Sequence, residues 1–87
     1  HMVEVQRSAF KSFEIMKEGR VIRIDEGDTI QFSIETGEII TGILTKISGK
    51  EEKTKLQIVP NGEQKEEIWS IVVISEDTLT VIEDEED

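Results

Sequence analysis

Cysteine is missing from all 87 residues, and its absence excludes disulfides and thiolate metal sites. The chain therefore suits a reducing compartment. Tyrosine is missing too. The aromatic complement stops at Phe10, Phe13, Phe32 and Trp69, which leaves too few rings for a cage around a methylated cation. The single histidine, His1, belongs with Met2 to a pair that reads as a cloning remnant, so imidazole drops out of the catalytic inventory. The longest apolar run, Ile71 to Ile74, falls far short of a membrane span, and no signal peptide is visible. A cytoplasmic protein without membrane contact is expected.

Catalytic motifs are lacking as well. There is no nucleophile elbow and no phosphate-binding glycine loop. Pairs of carboxylates can do acid–base chemistry, but among 20 acidic residues such pairs are inevitable and carry no information. The segment Asp25 to Asp28, "DEGD", lacks the alternating oxygen ligands and closing glutamate of a calcium loop, and it reads as a turn between strands. No catalytic residue, cofactor or metal is assigned, and the expectation is a protein that is not an enzyme.

What the chain has in abundance is negative charge, unevenly spread. Twenty acidic against 10 basic side chains give a net charge of −10. Residues 1–24 and 46–65 are each net +2, with the bases at Arg7, Lys11, Lys17, Arg20 and Arg23 and at Lys46, Lys50, Lys53, Lys55 and Lys65. Residues 25–45 hold five acids and no base, and residues 66–87 hold nine acids and no base. Such a surface repels nucleic acid and anionic lipid and attracts basic protein surfaces.

Isoleucine, valine and threonine dominate the rest. These β-branched residues lose rotamers in a helix and pack well on a pleated sheet. Glycine turn signals recur about every ten residues, at Glu18-Gly19, Glu26-Gly27, Thr36-Gly37, Ser48-Gly49 and Asn61-Gly62, the rhythm of a small sandwich or barrel. One domain is expected, with stability on the order of 4–13 kcal/mol.

The spacing predicts two hairpins in register. Around Glu18-Gly19, Lys17 faces Arg20, Ile15 faces Ile22 and Phe13 faces Ile24, with Met16 against Val21 and Glu14 against Arg23 on the other face. Around a two-residue turn at Thr36-Gly37, Ile34 faces Ile39, Phe32 faces Thr41 and Ile30 faces Ile43, and these six share the inward face. The second strand runs on to Ile47, with Gly42 permitting the bend that closes a small barrel. A strand at Thr54 to Val59 should bury Leu56 and Ile58, and Pro60-Asn61-Gly62 should turn the chain. Lys65 to Ile74 reads as a long strand buried on both faces, with Trp69 in the core. A turn at Glu76-Asp77 leads to a last strand, Thr78 to Ile82. Residues 1–11 form an N-terminal arm, of which 3–11 admit strand, helical turn or loose chain. Residues 12–82 form the domain, and the acidic tail 83–87, "EDEED", has nothing to bury and is expected to be disordered.

"EGDTIQF" (Glu26 to Phe32) followed by "GEIITGILTKI" (Gly37 to Ile47) resembles the KOW-type pattern of SH3-like small barrels, and the likeness extends over roughly residues 20–82. The resemblance implies an all-β, SH3-like barrel of five or six antiparallel strands and, for KOW domains, a nucleic-acid or ribosomal role. The chain departs from that role, because its loops at 25–28 and 35–38 are acidic where phosphate binding needs lysine or arginine. In size and charge it is similar to phage-encoded acidic DNA mimics.

The reading is thus a protein-binding module that docks on a basic partner, in its sharpest form a DNA mimic inhibiting a nucleoid-type DNA-binding protein. Its candidate surface is Asp25, Glu26, Asp28, Glu35, Glu38, Glu66, Glu67, Glu76 and Asp77. A KOW- or Tudor-like accessory domain of the transcription or translation machinery is the second reading, favoured if the two basic groups join into one patch. An open strand edge would also let two copies pair as a homodimer.

Overall fold

In the computed structural model, residues 11–82 are described. The first hairpin forms as its pairs dictate. Strands β1 (Ser12–Lys17) and β2 (Arg20–Asp25) pair antiparallel, with Phe13 opposite Ile24, Ile15 opposite Ile22 and Lys17 opposite Arg20. Both turn residues take positive φ, 56° at Glu18 and 78° at Gly19, the mirror-image turn whose twist matches that of the strands. Ile15 and Ile24 are buried, while Met16 and Val21 face solvent.

A five-stranded antiparallel sheet follows, ordered β6-β5-β4-β3-β7. Its members are β3 (Thr29–Ser33), β4 (Ile39–Ser48), β5 (Lys55–Pro60), β6 (Glu67–Ser70) and β7 (Thr80–Ile82). The described residues therefore form seven strands in two sheets instead of five or six strands, with no α-helix. The meander β3 to β6 is followed by two single-turn 3-10 segments, Ile71–Val73 and Glu76–Thr78, before β7 returns to the free side of β3.

The second hairpin departs from expectation by one residue. Phe32 pairs with Ile40, Gln31 with Thr41, Ile30 with Gly42 and Thr29 with Ile43. The loop is Glu35-Thr36-Gly37, closed by Gly37 N–H donating to the Ile34 carbonyl (2.8 Å) and Ile34 N–H donating to the Glu38 carbonyl (3.1 Å). A two-residue turn would force β-branched Thr36 to positive φ, whereas the three-residue loop asks this only of Gly37, at 93°. One residue of slip turns the whole strand over. Ile40 and Leu44 enter the core, while Ile39 is 65% exposed and Ile43 45%, so the inward placement of Ile39, Thr41 and Ile43 is corrected.

Past Leu44 an irregularity in the β4–β5 ladder takes up Thr45 and restores the opposite parity, so that Ile47 is buried opposite Leu56. Gly42 is required by a close approach of two backbones. A Cβ there would overlap the Val59 carbonyl oxygen and lie 2.7 Å from the Pro60 Cα.

The run Lys65 to Ile74 is not one strand. β6 pairs with β5 only as far as Lys55 opposite Ser70, where the partner strand begins. Ser70 then accepts the Val72 N–H on its side chain and starts a 3-10 turn. Its residues are not doubly buried either: Ile68 and Val72 are each 65% exposed, and β6 is an outer strand. Ile74 is redirected inward and bridges to Ile34. Likewise Glu76–Thr78 is a 3-10 turn, and the last strand starts at Thr80, not Thr78.

The core gathers Ile15 and Ile24 from the hairpin with Ile30, Phe32, Ile40, Leu44, Ile47, Leu56, Ile58, Ile74 and Leu79. Trp69 is half-buried against it, edge-on to Phe32 at a ring separation of 6.0 Å. The Lys17 ammonium donates to the Leu79 carbonyl (3.1 Å), tying the hairpin to the approach to β7. The N-terminal arm apart from Lys11, and the tail 83–87, lie outside the described residues.

Candidate functional site

Eight of the nine candidate acids fall into two groups along the five-stranded sheet, one at the start of β3 and one at its end. Asp25, Glu26 and Asp28 sit in the β2–β3 turn. Asp28 accepts the Asp25 N–H on its carboxylate (2.9 Å), and Asp25 pairs with Arg23 at 2.9 Å on the surface. The Gly27 N–H and Asp28 carbonyl bond the backbone of Leu44 (2.7 and 2.8 Å), which pins this turn beside the β4 irregularity. Glu66 reaches the same region from the β6 side: it accepts from Thr45 Oγ1 (3.3 Å) and from the Gln57 side-chain amide. Asp25 and Asp28 thus border the start of β3 beside Leu44, and Glu66 meets β4 from its other side at Thr45, with Lys46 next in the irregular stretch.

The ladder between β3 and β7 adds to this end. Thr29 lies opposite Ile82, so the last described residue stands beside the β2–β3 turn. From the same register, Ile82, Thr29, Ile43 and Val59 form one row across four strands on the outer face. Ile43 and Ile82 are its exposed apolar members.

Glu35 and Glu38 project from the β3–β4 loop at the far end, roughly 20 Å from Asp28 at strand rise. Glu76 and Asp77 lie near them. The Ser33 N–H donates to Thr78 Oγ1 (2.9 Å) and the Ser75 N–H to the Ser33 carbonyl (2.9 Å), which holds the 3-10 turn against the end of β3. Glu67 belongs to neither group: its carboxylate accepts the Trp69 indole N–H at 3.2 Å.

Glu26 differs from the other eight. Its carboxylate accepts the Ile47 N–H at 2.9 Å, a backbone donor on the β4 edge that β3 is too short to reach, and its own N–H donates to the Lys11 carbonyl (3.0 Å). It is an architectural acid, and no sequence periodicity distinguishes it from its neighbours.

The two basic segments border a groove of about 640 Å³, and the charged groups they present to it are carboxylates. Glu14 comes from β1, and Glu51 and Glu52 come from the 3-10 turn Glu51–Lys53. Among the described residues, no group of three His, Cys, Asp or Glu side chains is placed to hold a metal ion, and no helix is long and apolar enough to cross a membrane. Comparison with protein-family models, with curated proteins and with solved structures finds no match.

Proposed function

We propose that this chain is a non-enzymatic binding module whose acidic sheet end docks on a basic protein surface. The observation that carries the reading is the β3–β7 register, which sets Ile82, the residue before the acidic run 83–87 in the sequence, opposite Thr29 and so beside the Asp25–Asp28 turn. Ile43 and Ile82, exposed in the row next to that end, supply apolar contact area of the kind that holds a complex once charge has steered it together. The sharpest form is a DNA mimic occupying the nucleic-acid cleft of a DNA-binding protein. The KOW- or Tudor-like accessory domain is the second reading; the groove where the two basic segments meet offers it carboxylates and no lysine or arginine.

The finer fold belongs to the same proposal. A four-strand meander with an irregular second strand, a 3-10 turn and a short last strand returning to the first supports an SH3-like barrel preceded by an extra hairpin.

The test is retention of a basic DNA-binding protein on immobilised chain as salt rises from 50 to 500 mM, about a threefold contraction of the screening length. Binding should fall by more than tenfold, and double-stranded DNA should compete for the partner. Salt-independent retention, or none at low salt, would overturn the reading.

A further inference from the structure

The groove between the hairpin and the 3-10 turns is a different surface from the acidic sheet end, and most of its acids lie outside the charge blocks that mark that end. Phe13 and Ile15 of β1 form one wall. Ile71, Val72 and Ile74 form the other, and Val72 is 65% exposed. Four carboxylates, Glu14, Glu51, Glu52 and Glu76, border this apolar floor, and no lysine or arginine lines it. None of the four has an ion-pair partner among the described residues.

The neighbourhood of Glu51 explains how two of those carboxylates come to be there. Gly49 takes φ 79° and packs so closely on Lys53 and Thr54 that no Cβ fits. The chain then turns through Glu51 at φ 52°, and Thr54 is buried at the end of the turn. The Ile71 N–H donates to the Thr54 carbonyl at 2.9 Å, fixing the two 3-10 turns to each other. The groove is therefore framed by hydrogen-bonded backbone on one side and by a paired hairpin on the other.

Resting on the proposed binding of basic partners, we infer that this groove takes an extended cationic segment of the partner in which arginine or lysine alternates with bulky apolar residues. Charge complementarity selects that occupant. An acidic or nucleic-acid ligand would face four carboxylates, whereas the aliphatic stem of an arginine lies on Phe13, Ile71 and Val72 while its head reaches Glu14 or Glu51. The apolar residues of the segment cover Val72, the most exposed apolar position in the groove.

The experiment uses the full chain and a fluorescein-labelled peptide in which arginine alternates with leucine, with an arginine–glycine peptide of equal charge beside it. The arginine–leucine peptide should bind several-fold tighter, and its amide shift changes should centre on Phe13, Thr54, Ile71 and Val72. Glu51→Gln with Glu52→Gln should weaken binding about tenfold, while Glu18→Gln with Glu63→Gln, the same change in net charge elsewhere, should weaken it less than twofold. Val72→Ser should cost several-fold with the melting temperature unchanged.

Shift changes confined to Asp25–Asp28 and Glu66 would overturn the groove while leaving the basic-partner reading intact, and failure to bind either peptide at low salt would overturn both. Nuclear Overhauser contacts from residues 3–10 to Val72 in the free protein would show the groove filled by the chain's own N-terminal segment, which also overturns the proposal.

Discussion

The first two glycine hairpins along the chain differ by one loop residue, and that residue decides which side chains make the core. At Glu18-Gly19 the residue before glycine is unbranched and accepts φ 56°, so a two-residue turn forms and the strands pair as their alternation suggests. At Thr36-Gly37 the residue before glycine is β-branched, the left-handed region is costly for it, and the loop takes in Glu35 to spare it. Polar–apolar alternation alone cannot locate the inward face of a strand such as "IITGILTKI", where either parity offers isoleucine or leucine. The chemistry of the turn breaks the tie.

The largest expected effect tests that register directly. Leu44→Ala should cost about 3 kcal/mol in urea denaturation, because a fully buried side chain leaves a cavity, whereas Ile43→Ala should cost less than about 1 kcal/mol. A two-residue turn at Thr36-Gly37 would reverse the two costs, so equal or inverted values would refute the register described above.

Glu26 comes next. Glu26→Ala strands the Ile47 N–H and should lower stability by about 1–2 kcal/mol, whereas Glu35→Ala, at an exposed loop position, should stay within about 0.5 kcal/mol of the parent. Thermal melts of the two variants measure the contrast between an acid that holds the fold and one that only carries charge.

The turns themselves give the smaller effects. Gly37→Ala places a Cβ at φ 93° and should cost about 1 kcal/mol or more. Glu18→Asn, which installs the residue favoured at the first position of the tighter turn, should raise stability by about 0.5 kcal/mol. If Glu18→Asn destabilises the protein, the first hairpin does not close through the mirror-image turn.

Much of the β architecture was legible in the chain. The β1–β2 register, the ten-residue β4 and the burial of Leu56 and Ile58 all follow from alternation and glycine placement. Three features were not. The face of β4 depended on the conformational cost at Thr36. The end of β6 depended on where its partner β5 begins, a fact of tertiary pairing that no local pattern in "IWSIVVI" carries. Gly42 reads in the sequence as a residue permitting a barrel-closing bend, while the contact that requires it, the backbone of Val59 and Pro60 lying against it, comes from a neighbour distant in sequence.

The candidate acids were legible as charge blocks, but not their grouping. Glu66 joins Asp25 and Asp28 through β4, and Glu35 and Glu38 go with Glu76 to the opposite end, because antiparallel pairing reorders the blocks. The acids of the groove, Glu14, Glu51 and Glu52, were hidden inside segments whose net charge is positive.

Strand β4 outruns β3 by half its length, so its second half offers unpaired donors of the kind that recruit a foreign strand. The Gly27 N–H, the Asp28 carbonyl and the Glu26 carboxylate blunt that edge from Leu44 to Ile47. Glu26 thereby acts as a guard against self-association. Its removal should appear in concentrated solution first as concentration-dependent growth in particle size, at temperatures where the monomer is still folded.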